Sequence, residues 1–313
     1  MMDIKDLRIV YMGTPDMSAR LLEHLVKMGL NIVGVVAQTD QKIGRKQQIQ
    51  EVPTKIVAKK FNIPVYQPVK IKHDYSFMSQ LIPDLILCFA YGQIIPEEVL
   101  NMPRYGALNY HGSLLPKYRG AAPIQYALMN NDTESGVCLM EMVKKMDAGR
   151  VYAVERFSIS EHDNYETTAA KLVETCMRIS NLYLDDYVNG LLKGQEQEEK
   201  DVTFAPSIKS EQEKIDLHEG VDKVFGLIRA LSPHIGAYVI YKNQPLKIFE
   251  AEIVSFVEDS PIGTIVKADK MGLHIQVRGG VLALKTVQKA GKKQITFKDF
   301  INGEKDLLGS KVF

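Results

Sequence analysis

Residues 7–37 read LRIVYMGTPDMSARLLEHLVKMGLNIVGVVA, and this stretch decides the fold class. An apolar run at 7–12 ends at the turn Gly13-Thr14-Pro15-Asp16. Apolar side chains then recur at helical spacing over 18–28, and Gly29 is placed to end that helix. A second apolar run follows at 32–37. This order of strand, helix and strand predicts a parallel sheet with crossover helices.

The same alternation continues to about residue 190. Fully apolar runs such as 85–89 suit strands that are covered by helices on both faces. Residues 193–201 are polar and charge-rich, which is typical of a linker. Beyond them a helical stretch at 221–231 is followed by five short β-like runs, at 237–241, 246–253, 263–267, 274–277 and 281–287. Strands at this spacing predict a small barrel or sandwich.

Composition excludes several classes of protein. The net charge of +1 makes no general case for nucleic acid or membrane, so a basic binding site has to be local. The three cysteines, Cys88, Cys138 and Cys176, lie far apart and form no CxxC pair, which argues against a zinc site or a disulfide framework. Neither a signal-peptide pattern nor an apolar run of membrane-spanning length is present, so we expect a cytoplasmic protein.

The turn after the first strand bears on cofactor class. A dinucleotide-binding fingerprint needs three glycines, for the turn, for the approach of the pyrophosphate and for helix packing. The segment 13–16 supplies only Gly13. A nicotinamide enzyme is therefore disfavoured.

The chemistry-bearing segment is NYHGSLLP, residues 109–116. Asn109 and His111 are two apart at a predicted strand end, so their side chains can point the same way. Asp147 lies in a loop between two later predicted strands. An amide, an imidazole and a carboxylate are sufficient for acyl transfer to an amine, because one group can remove a proton while the others polarise the carbonyl. An ordinary strand-end histidine and a turn aspartate are the alternative interpretation on these residues alone.

The segment Asn109-x-His111-x-Ser113-Leu114-Leu115-Pro116, together with Asp147, resembles the signature of the 10-formyltetrahydrofolate-dependent formyltransferases. The longer string HGSLLPKYRGAAP at 111–123 is similar to the branch of that family that acts on methionyl-tRNA. The strings GTP at 13–15, FAYGQIIP at 89–96, LSP at 231–233 and GAY at 236–238 resemble it as well. The resemblance covers essentially the whole chain.

The resemblance implies a doubly wound, Rossmann-like α/β formyltransferase domain over 1–190, a linker over 191–207 and a small OB-like β-barrel domain over 208–313 that binds tRNA. It implies that Asn109 and His111 contact the formyl oxygen, that Asp147 positions His111 and helps to deprotonate the amine, and that transfer is direct. No metal is expected. The co-substrate 10-formyltetrahydrofolate would be bordered by Phe89, Ala90, Tyr91, Gly92, Gln93, Ile94, Ser113, Leu114, Leu115 and Pro116. From the residues alone, the Ser113 hydroxyl is more simply a turn hydroxyl.

The acceptor implied by the resemblance is initiator methionyl-tRNA, bound by a monomer. Residues 209–313 hold 16 Lys and Arg against 13 Asp and Glu, and no acidic residue falls between Lys285 and Lys298. The loop 39–53 is long for a compact α/β unit, which often marks function. It departs from the family pattern because Gln41, Gln47, Gln48 and Gln50 stand in a run that is usually more basic, and this predicts a shallower salt dependence. The expected tRNA contacts are Lys42, Arg45, Lys46, Arg119, Lys289, Lys292 and Lys293.

Three rival functions share parts of this pattern. A sugar-nucleotide N-formyltransferase would use the same chemistry on another amine. A formyltetrahydrofolate hydrolase would release formate. A non-catalytic RNA-binding protein would keep only the scaffold, although the presence of all three polar site residues argues against it.

Overall fold

The computed structural model describes residues 2–43 and 48–313, except for the side chains of Lys42 and Ile43. The chain divides into two compact units. Unit 1 comprises 1–121, 134–158 and 169–205, and unit 2 comprises 122–133, 159–168 and 206–313.

Within the described residues, unit 1 is built on a seven-stranded sheet. Its strands are β1 (Ile9–Gly13), β2 (Ile32–Val36), β5 (Val65–Tyr66), β6 (Leu85–Phe89), β7 (Ala107–His111), β8 (Glu134–Glu141) and β9 (Val151–Ser158). The remaining pair, β3 (Gln41–Ile43) and β4 (Gln48–Gln50), forms a separate antiparallel hairpin. The order in the main sheet is β5-β2-β1-β6-β7-β8-β9, in which the first five strands are parallel and β8 and β9 antiparallel. The predicted parallel α/β fold is confirmed.

The helices are α1 (Asp16–Lys27), α2 (Pro53–Lys60), α3 (Phe77–Leu81), α4 (Glu97–Leu100), α5 (Pro123–Met129), α6 (Tyr165–Val188), α7 (Val221–Leu231) and α8 (Phe297–Asn302). Both faces of the parallel strands are covered, so β1 and β6 are buried at every position. On one face Val10, Ile86 and Cys88 pack with Met78 of α3. On the other, the Tyr110 hydroxyl hydrogen-bonds Ser180 of α6 at 2.8 Å.

Unit 2 contains an antiparallel sheet in the order β10 (Ala237–Tyr241), β11 (Gln244–Ser255), β14 (Gly280–Lys289), β13 (Gly272–Val277) and β12 (Ile265–Asp269), with β15 (Ile295–Thr296) paired to β14. The last residues of the chain complete the ring. Ile240 and Phe313 exchange backbone hydrogen bonds of 2.6 and 3.0 Å, and the Val312 amide donates to Gly263 O at 2.8 Å. Segment 311–313 therefore joins β10 to the start of β12, which closes the predicted β-barrel. Apolar side chains of the strands and of α7 fill its core.

Candidate active site

The site lies where the strand order of unit 1 reverses. From the central strand β1 the chain runs outward to β2 and β5 on one side and later to β6 and β7 on the other. In such sheets the crevice outside the carboxyl ends of the strands at this point is where ligands bind. A Cβ on Gly13 would lie 1.8 Å from Ser18 Oγ and 2.7 Å from Phe89 O, so only glycine lets β1, β6 and α1 meet this closely.

Asn109 and His111 are carried by the last residues of β7. Asn109 pairs with Cys88 of β6, and His111 follows two residues later, so the two side chains share a face of the sheet. Within the described residues the Asn109 amide has no hydrogen-bond partner. Its NH2 group is therefore available to an oxygen atom in the crevice.

Asp147 reaches His111 from the loop between β8 and β9. Its Oδ2 accepts a hydrogen bond of 2.8 Å from the Gly120 amide and lies 3.6 Å from His111 Nδ1. The other ring nitrogen, Nε2, lies 2.9 Å from Tyr118 O, and because a carbonyl can only accept, Nε2 carries a proton. An imidazole and a carboxylate placed side by side are the kinds of group that take up and release a proton in acyl transfer.

This geometry differs in one respect from what the resemblance implied. Both ring nitrogens of His111 face protein groups, whereas the Asn109 amide is open. Asn109 is consequently the donor that is ready to contact a formyl oxygen. A contact from His111 stays a prediction, and it requires the ring to give up Tyr118 O or Asp147.

The predicted folate-bordering loop, residues 89–94, follows β6 directly. Its backbone turns through left-handed conformations at Ala90 (φ 52°) and Gly92 (φ 88°). The Tyr91 carbonyl accepts hydrogen bonds from Thr14 Oγ1 at 3.0 Å and Gln38 Nε2 at 3.2 Å. The loop is thereby fixed to the ends of β1 and β2.

Gln93 connects this loop to its other neighbours. Its Oε1 accepts from the Ile71 amide at 2.8 Å, and its Nε2 donates to Gln38 Oε1 at 3.1 Å. On these adjoining loops Ile94 and Val69 are 76% and 77% exposed, which offers apolar surface to a flat ring. The buried Tyr91 hydroxyl lacks a partner among the described residues. These exposed apolar side chains are the surface that a flat heterocycle would contact on these loops.

The other four predicted border residues form the loop after β7. Ser113 Oγ donates to Lys117 O at 2.6 Å, and the Lys117 amide donates to Leu114 O at 3.1 Å. The Leu115 amide is 3.4 Å from Cys138 Sγ. The Ser113 hydroxyl thus closes the turn that leads to Pro116, as the residue-based interpretation expects.

The cysteines are unsuited to covalent catalysis. Cys88, Cys138 and Cys176 are buried and unpaired. Burial raises the pKa of Cys88 to about 12 and that of Cys138 to about 11. Because the thiolate is the nucleophile, thiols that stay protonated at neutral pH are inert.

The predicted tRNA contacts of unit 1 fall into three groups. Lys42 lies in β3, and Arg45 and Lys46 lie outside the described residues. Arg119 is only 1% exposed, and its guanidinium binds Gln197 and Glu199. That placement is not the free cation that a phosphate contact assumes, so a role for Arg119 in tRNA binding stays a prediction.

The lysines of unit 2 differ in their pairing. Lys285 pairs with Glu252 at 2.9 Å, and Lys289 pairs with Glu304. Lys292 and Lys293 are exposed in the turn after β14 and have no acidic partner among the described residues. They are the two cations of the predicted set in this unit that are open to a phosphate.

A cavity of about 730 Å³ lies in unit 2, and its lining includes Glu252, the partner of Lys285, and Gln294, which follows Lys293. Six carboxylates line it, from Asp132, Glu161, Asp163, Asp222, Glu250 and Glu252, against one guanidinium, from Arg229. Such a surface repels phosphate. We therefore place no nucleic-acid contact there.

The described residues lack both a membrane-spanning helix and a metal-binding cluster. None of the helices in residues 2–43 and 48–313 is both long and apolar enough to cross a membrane. Over the same residues, no three His, Cys, Asp or Glu side chains are grouped so as to hold a metal ion.

Comparison with known proteins gives a consistent result. The family profile described as "Formyl transferase" matches residues 7–179, and that described as "Formyl transferase, C-terminal domain" matches residues 207–305. The chain is 43% identical over 300 residues to a methionyl-tRNA formyltransferase of Lactobacillus acidophilus. The aligned residues make up 95% of each of the two chains.

Solved structures of the same fold are more distant in sequence. An N-formyltransferase from Helicobacter canadensis, in complex with folinic acid and dTDP-3-aminofucose, has a TM-score of 0.65 at 17% identity and covers 90% of this chain and 99% of its own. HypX from Aquifex aeolicus, in complex with tetrahydrofolic acid, has a TM-score of 0.62 at 16% identity. That match covers 94% of this chain and 47% of HypX, so this chain spans about half the length of HypX.

Proposed function

Because the chain belongs to the formyl transferase family, we propose that it transfers a formyl group from 10-formyltetrahydrofolate to the α-amine of initiator methionyl-tRNA. The observation that carries the proposal is the open Asn109 amide on the same strand end as the His111–Asp147 pair. One donor for an oxyanion and one proton-accepting pair are what transfer of an acyl group to an amine requires.

The chain's own residues divide this work. The folate donor supplies an N-formyl group whose carbonyl carbon is open to attack. Asn109 donates a hydrogen bond to the formyl oxygen and stabilises the negative charge that develops there. The His111–Asp147 pair accepts the proton of the attacking amine and returns it to the folate nitrogen that leaves. The amine of an aminoacyl ester is less basic than that of lysine, so a modest base is sufficient.

Two observations support direct transfer, without a covalent enzyme intermediate. The cysteine thiols are protonated, and the Ser113 hydroxyl is engaged with Lys117 O. Much of the rate then has to come from holding the amine against the formyl carbon, which can amount to about 7–11 kcal/mol of the barrier.

The choice of tRNA as the acceptor has two supports. Relatives named methionyl-tRNA formyltransferase match nearly the full length at 37–43% identity, whereas the N-formyltransferase in complex with dTDP-3-aminofucose shares the fold at 17%. Lys292 and Lys293 present unpaired positive charge from unit 2. We propose that these two lysines bind tRNA phosphates together with Lys42, Arg45 and Lys46. The protein would act as a monomer in the cytoplasm, where aminoacyl-tRNA is used.

An acceptor competition tests this proposal. Purified protein with formyl-labelled 10-formyltetrahydrofolate is offered methionyl-tRNA and a nucleotide-linked amino sugar in the same vessel, with a no-acceptor sample beside it. Label that enters the tRNA fraction supports the proposal. Label in the amino sugar, or formate released without an acceptor, would reassign the acceptor and keep the catalytic site.

A further inference from the structure

A segment of unit 1 that is remote in sequence runs alongside the catalytic loop. Gln195 pairs with Val151 in an antiparallel bridge, and Phe204 pairs with Arg119 in a parallel one. The Arg119 amide donates to Thr203 O at 2.9 Å, and the Ala205 amide donates to Arg119 O at 2.8 Å. Residues 195–205 therefore pair with Arg119, which precedes Gly120, and with Val151, which lies four residues after Asp147.

Gln197 is the member of this segment that reaches the catalytic loop. Its Nε2 donates to Asp147 O and to Gly149 O, each at 2.8 Å. Its Oε1 accepts from Arg119 Nε at 3.0 Å and from Arg119 Nη2 at 2.9 Å. All four hydrogen-bonding positions of the amide are filled, and because arginine can only donate, it fixes which end of the amide faces Asp147.

Arg119, the partner of the Gln197 oxygen, is buried. Its side chain is 1% exposed, and a guanidinium is charged at every physiological pH, so it needs acceptors inside the protein. Two of its donors converge on Gln197 Oε1, and Nη1 contacts Glu199 at 3.1 Å. A bidentate contact of this kind holds a neutral amide in one orientation.

The catalytic loop needs such support. Asp147 has φ 51°, in the left-handed region, which typically costs a non-glycine residue about 1–3 kcal/mol unless its surroundings hold it there. A Cβ on Gly149 would lie 2.0 Å from Glu141 O, so the backbone is closely packed just beyond. The two hydrogen bonds from Gln197 hold the loop at the carbonyl groups of Asp147 and Gly149.

We propose that Gln197 is a positioning residue for the reaction: it fixes the backbone of Asp147, with Arg119 orienting its amide, so that the carboxylate stays between Gly120 N and His111 Nδ1. The proposal rests on the proposed catalytic role of Asp147. It also gives Arg119 a role apart from tRNA. A displacement of about 1 Å in a catalytic group can cost on the order of 100-fold in rate.

The test replaces Gln197 by Met, which keeps the length of the side chain and removes both its donor and its acceptor. We expect kcat to fall by about 10–100-fold, because Asp147 is misplaced, while KM for both substrates changes by less than about twofold. Gln195→Met is the matched control, since Gln195 is exposed and bonds through its backbone. If the Met variant fails to fold, Gln197→Glu keeps the acceptor for Arg119 and removes the donors to the two carbonyls.

A double-mutant cycle separates positioning from general stability. In the Asp147→Asn background, Gln197→Met should lower kcat by less than about twofold, because the residue acts through a carboxylate that is already absent. A full additional loss there, or a loss confined to KM, would overturn the proposal.

Hydrogen exchange of peptides that cover residues 143–151, without substrates, gives a readout independent of activity. Faster exchange in Gln197→Met than in Gln195→Met supports the hold on the loop even if the wild-type protein transfers no formyl group to tRNA. Unchanged exchange with unchanged kcat, in a wild-type protein that does formylate tRNA, would reject the positioning role and leave the proposed function standing.

Discussion

The carboxylate of Asp147 lies 3.6 Å from His111 Nδ1 and accepts a 2.8 Å hydrogen bond from the Gly120 amide. The two side chains come from different parts of the sheet, His111 from the end of β7 and Asp147 from the loop between β8 and β9. Their side chains are 5% and 15% exposed, so both are largely shielded from solvent. Exclusion of water strengthens electrostatic interactions within such a pair.

The open amide of Asn109 leads to a kinetic prediction. Asn109→Ala should lower kcat by about 100-fold, since loss of one oxyanion donor typically costs about 3 kcal/mol in the barrier. Circular dichroism and the melting temperature should match those of the wild type, because the side chain bonds no described residue. Asn101→Ala, at the end of α4, serves as the control. Full activity in a folded Asn109→Ala protein would remove this residue from the site.

Direct transfer predicts that the enzyme itself is never formylated. Burial keeps the thiols of Cys88 and Cys138 protonated at neutral pH, because it raises their pKa to about 12 and about 11. Intact-protein mass spectrometry after incubation with the folate donor alone should therefore show the unmodified mass. An added formyl group that methionyl-tRNA removes would instead establish a covalent intermediate.

The exposed lysines predict how tRNA binding responds to salt. Replacing Lys292 and Lys293 by Ala should weaken methionyl-tRNA binding and lower the slope of log K against log salt by about 1.8, or about 0.9 for each phosphate contact. The measurement is a titration of tRNA binding at several salt concentrations. Lys270→Ala, on the exposed turn between β12 and β13, is the control. An unchanged slope in the double variant would place the tRNA elsewhere.

Glu304 predicts a pH dependence for the stability of unit 2. Burial alone would raise the pKa of Glu304, but hydrogen bonds from Lys242, Lys289 and Tyr241 bring it down to about 2. A depressed folded-state pKa stabilises the protein above the unfolded value, which is near 4.3, and this contribution is lost as the pH falls toward about 2.

Glu304→Gln should therefore reduce the free energy of unfolding by on the order of 1 kcal/mol at pH 7, as for a typical exposed ion pair or slightly more. The difference from the wild type should shrink as the pH is lowered through the same interval. Urea denaturation of both proteins at pH 7 and at pH 3 measures it. A difference that grows toward low pH would contradict the assignment.

Much of the fold follows from local sequence pattern. The apolar runs that predict the inner strands have the length of buried parallel strands, and 85–89 coincides with β6. The barrel strands were similarly apparent from short runs between turn residues. Closure of the barrel was not, because it depends on Val312 and Phe313 pairing with Gly263 and Ile240, which are about 50 and 70 residues away. Pairing over such distances leaves no periodic signal in the sequence.

Only some of the residues of the candidate site can be predicted from the sequence pattern. Asn109 and His111 lie two residues apart on one strand, and Asp147 is a candidate as a carboxylate in a predicted loop whose role the family resemblance implies. Gln197 carries no such signal, because it is 50 residues from Asp147 and lies in a polar stretch that composition assigns to a linker. The absence of acidic residues between Lys285 and Lys298 was also a poor guide to free charge, since Glu252 and Glu304 are brought to two of the lysines by the barrel.

The most direct test of the central claim follows label from the formyl group of 10-formyltetrahydrofolate into initiator methionyl-tRNA, with wild-type protein and Asp147→Asn side by side. Asparagine can still accept the Gly120 hydrogen bond but cannot take a proton, so we expect rapid transfer by the wild type and a loss of about 100–10,000-fold in the variant. Equal transfer by both proteins would contradict the catalytic role of the His111–Asp147 pair. Failure of the wild type to label tRNA would contradict the proposed function itself.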